Sequence, residues 1–231
     1  MGLFSLLFTT AGIVLFPLLG FSIFVIASAI ERGKFWLKIS RRQPKFAKEL
    51  VALYQQQPEL AVEKAQRNLD LPLARIMLAA LQLKNPSMDT FRLAIESELR
   101  SEIPGLKRFM VWYEMIVGLA PLLGLLGTVM GLIQAFSGLN IGDVGGTKSA
   151  VVSAGIAEAL VTTAAGIAVA TITLVVVTIF RGTYQRQMTL LEECAGQMEL
   201  VQRCRLENAI EMNAIEMNAI EMNAIEMVEA L

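Results

Sequence analysis

The sequence predicts an all-α integral membrane protein with three transmembrane helices and a large helical cytoplasmic insertion between the first and the second. Three observations carry this. The 231-residue chain is 55% hydrophobic with a mean hydropathy of +0.55, too apolar for an ordinary soluble domain. Three segments with at most one ionisable group each exceed the roughly 20 residues that a tilted helix needs to cross about 30 Å of hydrocarbon. Lysine and arginine are unevenly placed: none in the first thirty positions, fifteen from Glu31 to Trp112, one near "NIGDVGGTK" and four after Phe180. By the positive-inside rule the N-terminus lies outside, the long middle segment inside, the short loop outside and the tail inside.

The first span covers residues 1–30. "ASA" at Ala27–Ala29 has the spacing of a signal-peptide cleavage site. No basic residue precedes the apolar run, however, and the basic stretch "ERGKFWLKISRRQPKFAK" follows it, so a retained helix is expected. Residues 31–112 form the cytoplasmic segment. Its prolines at 44, 58, 72 and 86 stand fourteen residues apart, each at the start of a stretch that reads as a short helix, because proline is tolerated at the first helical position. The intervening sequences share little, so four successive short helices are expected rather than a repeat. The first basic cluster reads as a headgroup-facing anchor rather than a nucleic-acid surface. Pro104-Gly105 is expected to break the chain before the second span.

That second span, 113–141, opens on Trp112 and Tyr113, where an aromatic belt belongs. Glu114 sits at the same boundary, within reach of water or a lysine. A short outside loop, 142–148, leads to the third span, 149–180. The tail, 181–231, begins as a continuation of that helix, with Met188, Leu191, Ala195 and Met198 at helical spacing. It ends in four copies of "NAIEM". A five-residue period advances about 500° around a helix axis, so isoleucine and glutamate spiral and no stable apolar face results.

The composition excludes much chemistry. There is no histidine, which removes Ser-His-Asp and Cys-His catalysis, HExxH sites and histidine-ligated metals. Cys194 and Cys204 lack CxxC spacing and read as two reduced thiols. No cofactor, no metal site and no enzyme activity are expected.

The spans themselves carry the candidates. In "APLLGLLGTVMGLIQAF", Gly124, Thr128 and Gly131 share one face, and Gly127 with Gly131 forms a GxxxG. Such faces let helix backbones approach closely in lipid. Thr128 is open to two readings, a hydroxyl bonded to its own helix or a pore-lining group. In the third span Gly155, Ala159, Thr163, Gly166 and Ala170 form a small-residue stripe, with Glu158, Thr162 and Ala165 on an adjoining one. Glu158 is the only ionisable side chain from Ser149 to Phe180, about 13 Å along the helix from its outer end. A charge at that depth costs at least about 2.5–3.5 kcal/mol, so a functional role is its default reading. Desolvation can raise a glutamic acid into the range where it exchanges protons. A protonated glutamic acid bonded to a neighbouring helix is the structural alternative.

"GLAPLLGLLGTVMGLIQAF", an outside loop and "GIAEALVTTAAGIAVA" together resemble the MotA/TolQ/ExbB proton-channel family, specifically its ExbB/TolQ branch. The match is strongest from Gly118 to Ala170, and the glutamate of "GIAEAL" separates it from flagellar stators. The resemblance implies a pentamer around a dimer of a single-span ExbD- or TolR-like partner in the bacterial inner membrane. Proton-motive force would then drive work on a periplasmic TonB- or TolA-like protein. It assigns Glu158, Thr128 and Thr163 to the proton path. Two departures stand out: "AVATITL" replaces a proline-containing turn, and Thr162 stands where the family usually has alanine. The extra hydroxyl suits Na⁺ as well as H⁺. A pore-free scaffold and another ion-driven stator, flagellar or gliding, remain alternative readings.

Overall fold

The computed structural model describes residues 12–137 and 146–229, in which all regular structure is helical. The helices are α1 (Gly12–Gln56), α2 (Pro58–Gln66), α3 (Pro72–Leu81), α4 (Met88–Leu106), α5 (Met110–Ser137) and α6 (Gly146–Glu229). Three stretches of helix, within Ile13–Gln56, Met88–Ser137 and Val152–Asn218, are long and apolar enough to cross a membrane. The first eleven residues of the first span lie outside the described residues. Of the loop expected over 142–148, residues 146–148 are already helical, and the remainder also lies outside them.

Two prolines behave differently from the sequence reading. Helix α1 runs through Pro44 without interruption. An interior proline costs about 3 kcal/mol, but Ile39, Gln43, Phe46, Ala47, Leu50 and Tyr54 are all buried at three- to four-residue spacing, and that stripe keeps the helix whole. Pro104 likewise lies inside α4. The break falls at Lys107–Phe109, where Phe109 adopts φ 68°. A left-handed aromatic residue costs on the order of 1–3 kcal/mol. Here the Phe109 ring meets Phe24 edge-on at 5.8 Å, and the Arg108 guanidinium lies 4.6 Å from its centroid. Pro58 and Pro72 follow expectation at the first turns of α2 and α3. Pro86 precedes α4, whose start is capped by Ser87, with its Oγ accepting from the Thr90 N–H at 3.2 Å.

The chain divides into two compact units. The first takes residues up to Leu37 and Lys107–Tyr184. Its α1 stripe of Val14, Leu18, Val25, Ser28, Arg32 and Trp36 is buried. Tyr113 is fully buried between Phe24 and Phe180, with ring centroids at 6.5 and 6.0 Å. Charged pairs gather at one end of this bundle, Arg108 with Glu31 at 3.2 Å and Arg181 with Glu114 at 2.5 Å. The partner of Glu114 is thus an arginine one span away rather than a nearby lysine.

The second unit takes Lys38–Leu106 and the chain from Gln185 onward. Helices α2, α3 and α4 fold back on one another, burying Ala61, Ala65, Leu73, Ile76, Met77, Phe91 and Ile95. Tyr54 stacks on Phe91 and donates its hydroxyl hydrogen to Gln202 Oε1, while Gln202 Nε2 donates to the Pro86 carbonyl at 3.3 Å. On α6 the buried stripe is Gln187, Leu191, Cys194, Met198 and Gln202. This is rotated from the expected one: Met188 and Ala195 are half-buried at its edge, because Gln202, bonded to Tyr54, sets the phase. Cys194 and Cys204 are both free thiols, the first buried and the second exposed. The "NAIEM" segment is helical, with Ile210, Met212, Ile215, Met217, Ile220 and Met222 all exposed.

Candidate functional site

The site is built on an antiparallel contact between α5 and α6 in the first unit. A run of glycine and alanine on each helix removes the side chains that would hold the backbones apart. The seam can be measured by what a Cβ would meet at each glycine. At Gly166 it would stand 2.5 Å from the Ala120 carbonyl oxygen and 3.0 Å from the Gly124 Cα. At Gly124 it would meet the Thr162 carbonyl oxygen and the Thr163 Cα, both at 3.0 Å. At Gly127 the obstacle is Thr162 Oγ1 at 2.5 Å, at Gly131 it is Ala159 Cβ at 3.0 Å, and at Gly155 it is Ala135 Cβ at 2.7 Å. The six small positions singled out in the sequence therefore lie on one continuous ladder, and Ala120 and Ala135, which the sequence reading passed over, complete it.

The hydroxyls divide into two kinds. Thr162 is fully buried in the seam and fills the space left by Gly127. Its single proton goes to the Ala159 carbonyl at 2.7 Å, and the Gly124 oxygen at 3.5 Å is too far for a second strong bond. Thr163 is half-buried and donates across the seam to the Gly124 carbonyl at 3.0 Å. Thr128 donates to Leu125 within its own helix at 2.6 Å, the self-bonded geometry of an intrahelical threonine. In the sequence reading Thr162 shared a face with Glu158 and Thr163 belonged to the small stripe. The structure seats Thr162 in the stripe itself and Thr163 at its margin.

Glu158 is half-buried, one position before the seam residue Ala159. Five residues separate Glu158 from Thr163, which sets their side chains about 140° apart around the α6 axis. The two flank the seam on opposite sides. Outside the seam the helices present apolar side chains: Leu122, Leu125, Val129 and Ile133 on α5, with Leu160, Val161 and Ile167 on α6, are all exposed.

Two features escaped the sequence reading. Arg32, read as part of the headgroup-facing basic cluster, is 4% exposed, with its guanidinium 4.3 Å from the Phe35 centroid and 5.5 Å from that of Trp36. The signal was available: aromatic residues three and four positions after an arginine lie on its own helical face. Tyr113, read as belt, is instead core. Among the described residues no group of His, Cys, Asp or Glu could hold a metal ion.

Comparison with known proteins places this geometry among relatives. Residues 68–193 match the MotA/TolQ/ExbB proton channel family. A Synechocystis sp. protein named as a biopolymer transport protein, ExbB-like 3, is 45% identical over 192 residues, covering 83% of this chain and 91% of its own length. A second from the same organism, named ExbB-like 1, is 39% identical over 85% of this chain and 78% of its own. A Methanothermobacter thermautotrophicus protein named as an ExbB homolog is 26% identical over 72% of this chain and 58% of its own.

Proposed function

The chain belongs to the MotA/TolQ/ExbB proton channel family, and from that premise we propose that it is the ExbB/TolQ-like subunit of an inner-membrane motor driven by proton-motive force. In this reading it forms a homo-oligomer, a pentamer by family resemblance, around a single-span ExbD- or TolR-like partner. The partner's carboxylate and Glu158 pass the proton, and the work reaches a TonB- or TolA-like protein outside. The N-terminus is periplasmic, residues 31–112 form the cytoplasmic insertion, and the tail is cytoplasmic.

The observation that carries the proposal is the position of Glu158. It is the sole carboxylate of the apolar stretch from Ser149 to Phe180, half-buried beside a seam too tight to admit it. An intramembrane acid in such a place marks an ion path. The divergence of Glu158 from Thr163 supports an assembly: a path that touches both needs side chains from a second copy or from a partner. The exposed leucine, valine and isoleucine faces of α5 and α6 offer the surface for it. The paired charges at one end of the bundle, Glu31 with Arg108 and Glu114 with Arg181, suit the inner boundary assigned by the positive-inside rule. H⁺ is the coupling ion that this reading favours, and the extra hydroxyl of Thr162, fully buried in the seam against Gly127, adds little to the case for Na⁺.

The test is Glu158→Gln, which keeps volume and hydrogen-bonding capacity and removes only the exchangeable proton. Co-expressed with a single-span ExbD- or TolR-like partner, the variant is expected to assemble normally and to lose partner-dependent proton flux in reconstituted vesicles. Full flux in the Gln variant sinks the proton-coupling role and leaves a pore-free scaffold as the reading.

A further inference from the structure

We propose that the second unit carries a binding site for a phosphate-bearing anion in the cleft between α1 and the α2–α3 connection. The cleft has a volume of about 370 Å³, with Arg41, Arg42, Lys45 and Lys64 on its walls and Phe46 and Leu71, both buried, as its floor. Two carboxylates serve this surface, and both are already engaged. Asp70 is shared by Lys38, at 3.0 Å, and by Arg42. Glu49 pairs with Lys64 and stands 3.9 Å from Lys45. Among the described residues no carboxylate lies within ion-pair distance of Arg41 or of the neighbouring Lys48. Four cations thus line the cleft beside one carboxylate, Glu49, which is already engaged by Lys64, and the excess charge is directed into a formed cleft.

The donor geometry favours phosphate over a simple anion. Arg42 is held by Asp70 on one side and by Asn68, whose Oδ1 accepts from Nη2 at 3.1 Å, so its guanidinium is oriented before any ligand arrives. Among the described residues no hydrogen-bond or ion-pair partner engages the Arg41 guanidinium, which offers five N–H donors. Two guanidinium forks match the tetrahedral, multiply charged oxygens of a phosphoryl group, and lysines add point charge. The apolar floor lowers the local dielectric, which strengthens these contacts.

A phosphoryl group can come from a lipid headgroup or from a soluble phosphate compound. The phosphoryl chemistry is the same for both sources, and the two arms of the test below separate them.

The experiment uses the full chain in an uncharged detergent, titrated with inorganic pyrophosphate by calorimetry, beside co-sedimentation with phosphatidylglycerol and with phosphatidylcholine vesicles. Saturable pyrophosphate binding is expected, weakened at least about tenfold in Arg41→Gln/Lys45→Gln and unchanged in Arg92→Gln, whose charge sits on α4 and pairs with Glu96. Binding confined to phosphatidylglycerol vesicles, and lost in the same double variant, supports the phosphoryl site with lipid as its source. Binding of neither probe, or binding that survives the double substitution, overturns the proposal.

Discussion

Thr163 Oγ1 donates to the Gly124 carbonyl oxygen at 3.0 Å, from one membrane-crossing helix to the other, onto an oxygen that also belongs to the backbone ladder of α5. Interhelical bonds of this kind are worth about 0.6 kcal/mol on average and at most about 1.7. Thr163→Val should therefore leave folding and assembly nearly intact. If the hydroxyl also serves the ion path, proton flux should fall while complex recovery stays constant, with a smaller loss than for Glu158→Gln. Unchanged flux would confine Thr163 to packing.

Gly166 meets backbone, the Ala120 carbonyl oxygen and the Gly124 Cα, and backbone cannot step aside as a side-chain tip can. Gly166→Ala should push α5 and α6 apart, at a cost of about 1–3 kcal/mol, read as a lower thermal midpoint of the detergent-solubilised protein. Gly33→Ala is the control. A Cβ there meets nothing within 4 Å, and removing a helical glycine should stabilise by about 0.5–1 kcal/mol. Equal midpoints for the two variants would show that the seam is looser than its distances imply.

Burial pushes the Cys194 thiol up to about 12, with the adjacent Glu193 carboxylate acting in the same direction. A thiol reagent at pH 8 should label Cys204 alone in the folded protein and both cysteines after denaturation. The linkage has a definite sign. The unfolded thiol ionises near 9 and the folded one only near 12, so the unfolded chain loses its proton first, and stability should decline as pH rises through that interval. Cys194→Ala should flatten this alkaline decline, measured by denaturation midpoint against pH.

Truncation after Glu207 removes the "NAIEM" segment, in which Ile210, Met212, Ile215, Met217, Ile220 and Met222 are all exposed. Membrane level and oligomer size, followed by fluorescence size-exclusion, should match the full chain. Collapse of the oligomer would place those side chains in contacts between copies.

Much of this architecture could be read from residue types alone, and the reasons for the misses are specific. Apolar length found the three membrane helices, and small-residue spacing found both sides of the seam, because each signal is local to one helix. The path of α1 through Pro44 could not be found that way. It depends on burial of Gln43, Leu50 and Tyr54, and burial is settled by segments far along the chain. The same holds for the phase of the α6 stripe, set by Tyr54 bonding Gln202 across 148 residues. Phe109 at positive φ broke a rule that favours glycine, because aromatic and cationic neighbours outweighed a backbone preference. Thr162 was placed on the wrong face by a count that treats helix faces as discrete. The glycine opposite, Gly127, leaves a hole shaped for its side chain, and packing turned an ambiguous position into a buried one.

The Gly–Ala ladder has a mechanical consequence. Where two helices meet through interlocking leucines, a rotamer change lets one slide past the other in small increments. Between Gly124 and Gly166 there are no rotamers to change, and the Thr162 side chain sits in its socket like a key in a slot. The stretch from Ala120 to Ala135 and the stretch from Gly155 to Gly166 should therefore travel as one stiff stave. Compliance during any working stroke falls to the leucine-, valine- and isoleucine-covered outer faces, which behave as bearings while the ladder acts as a weld.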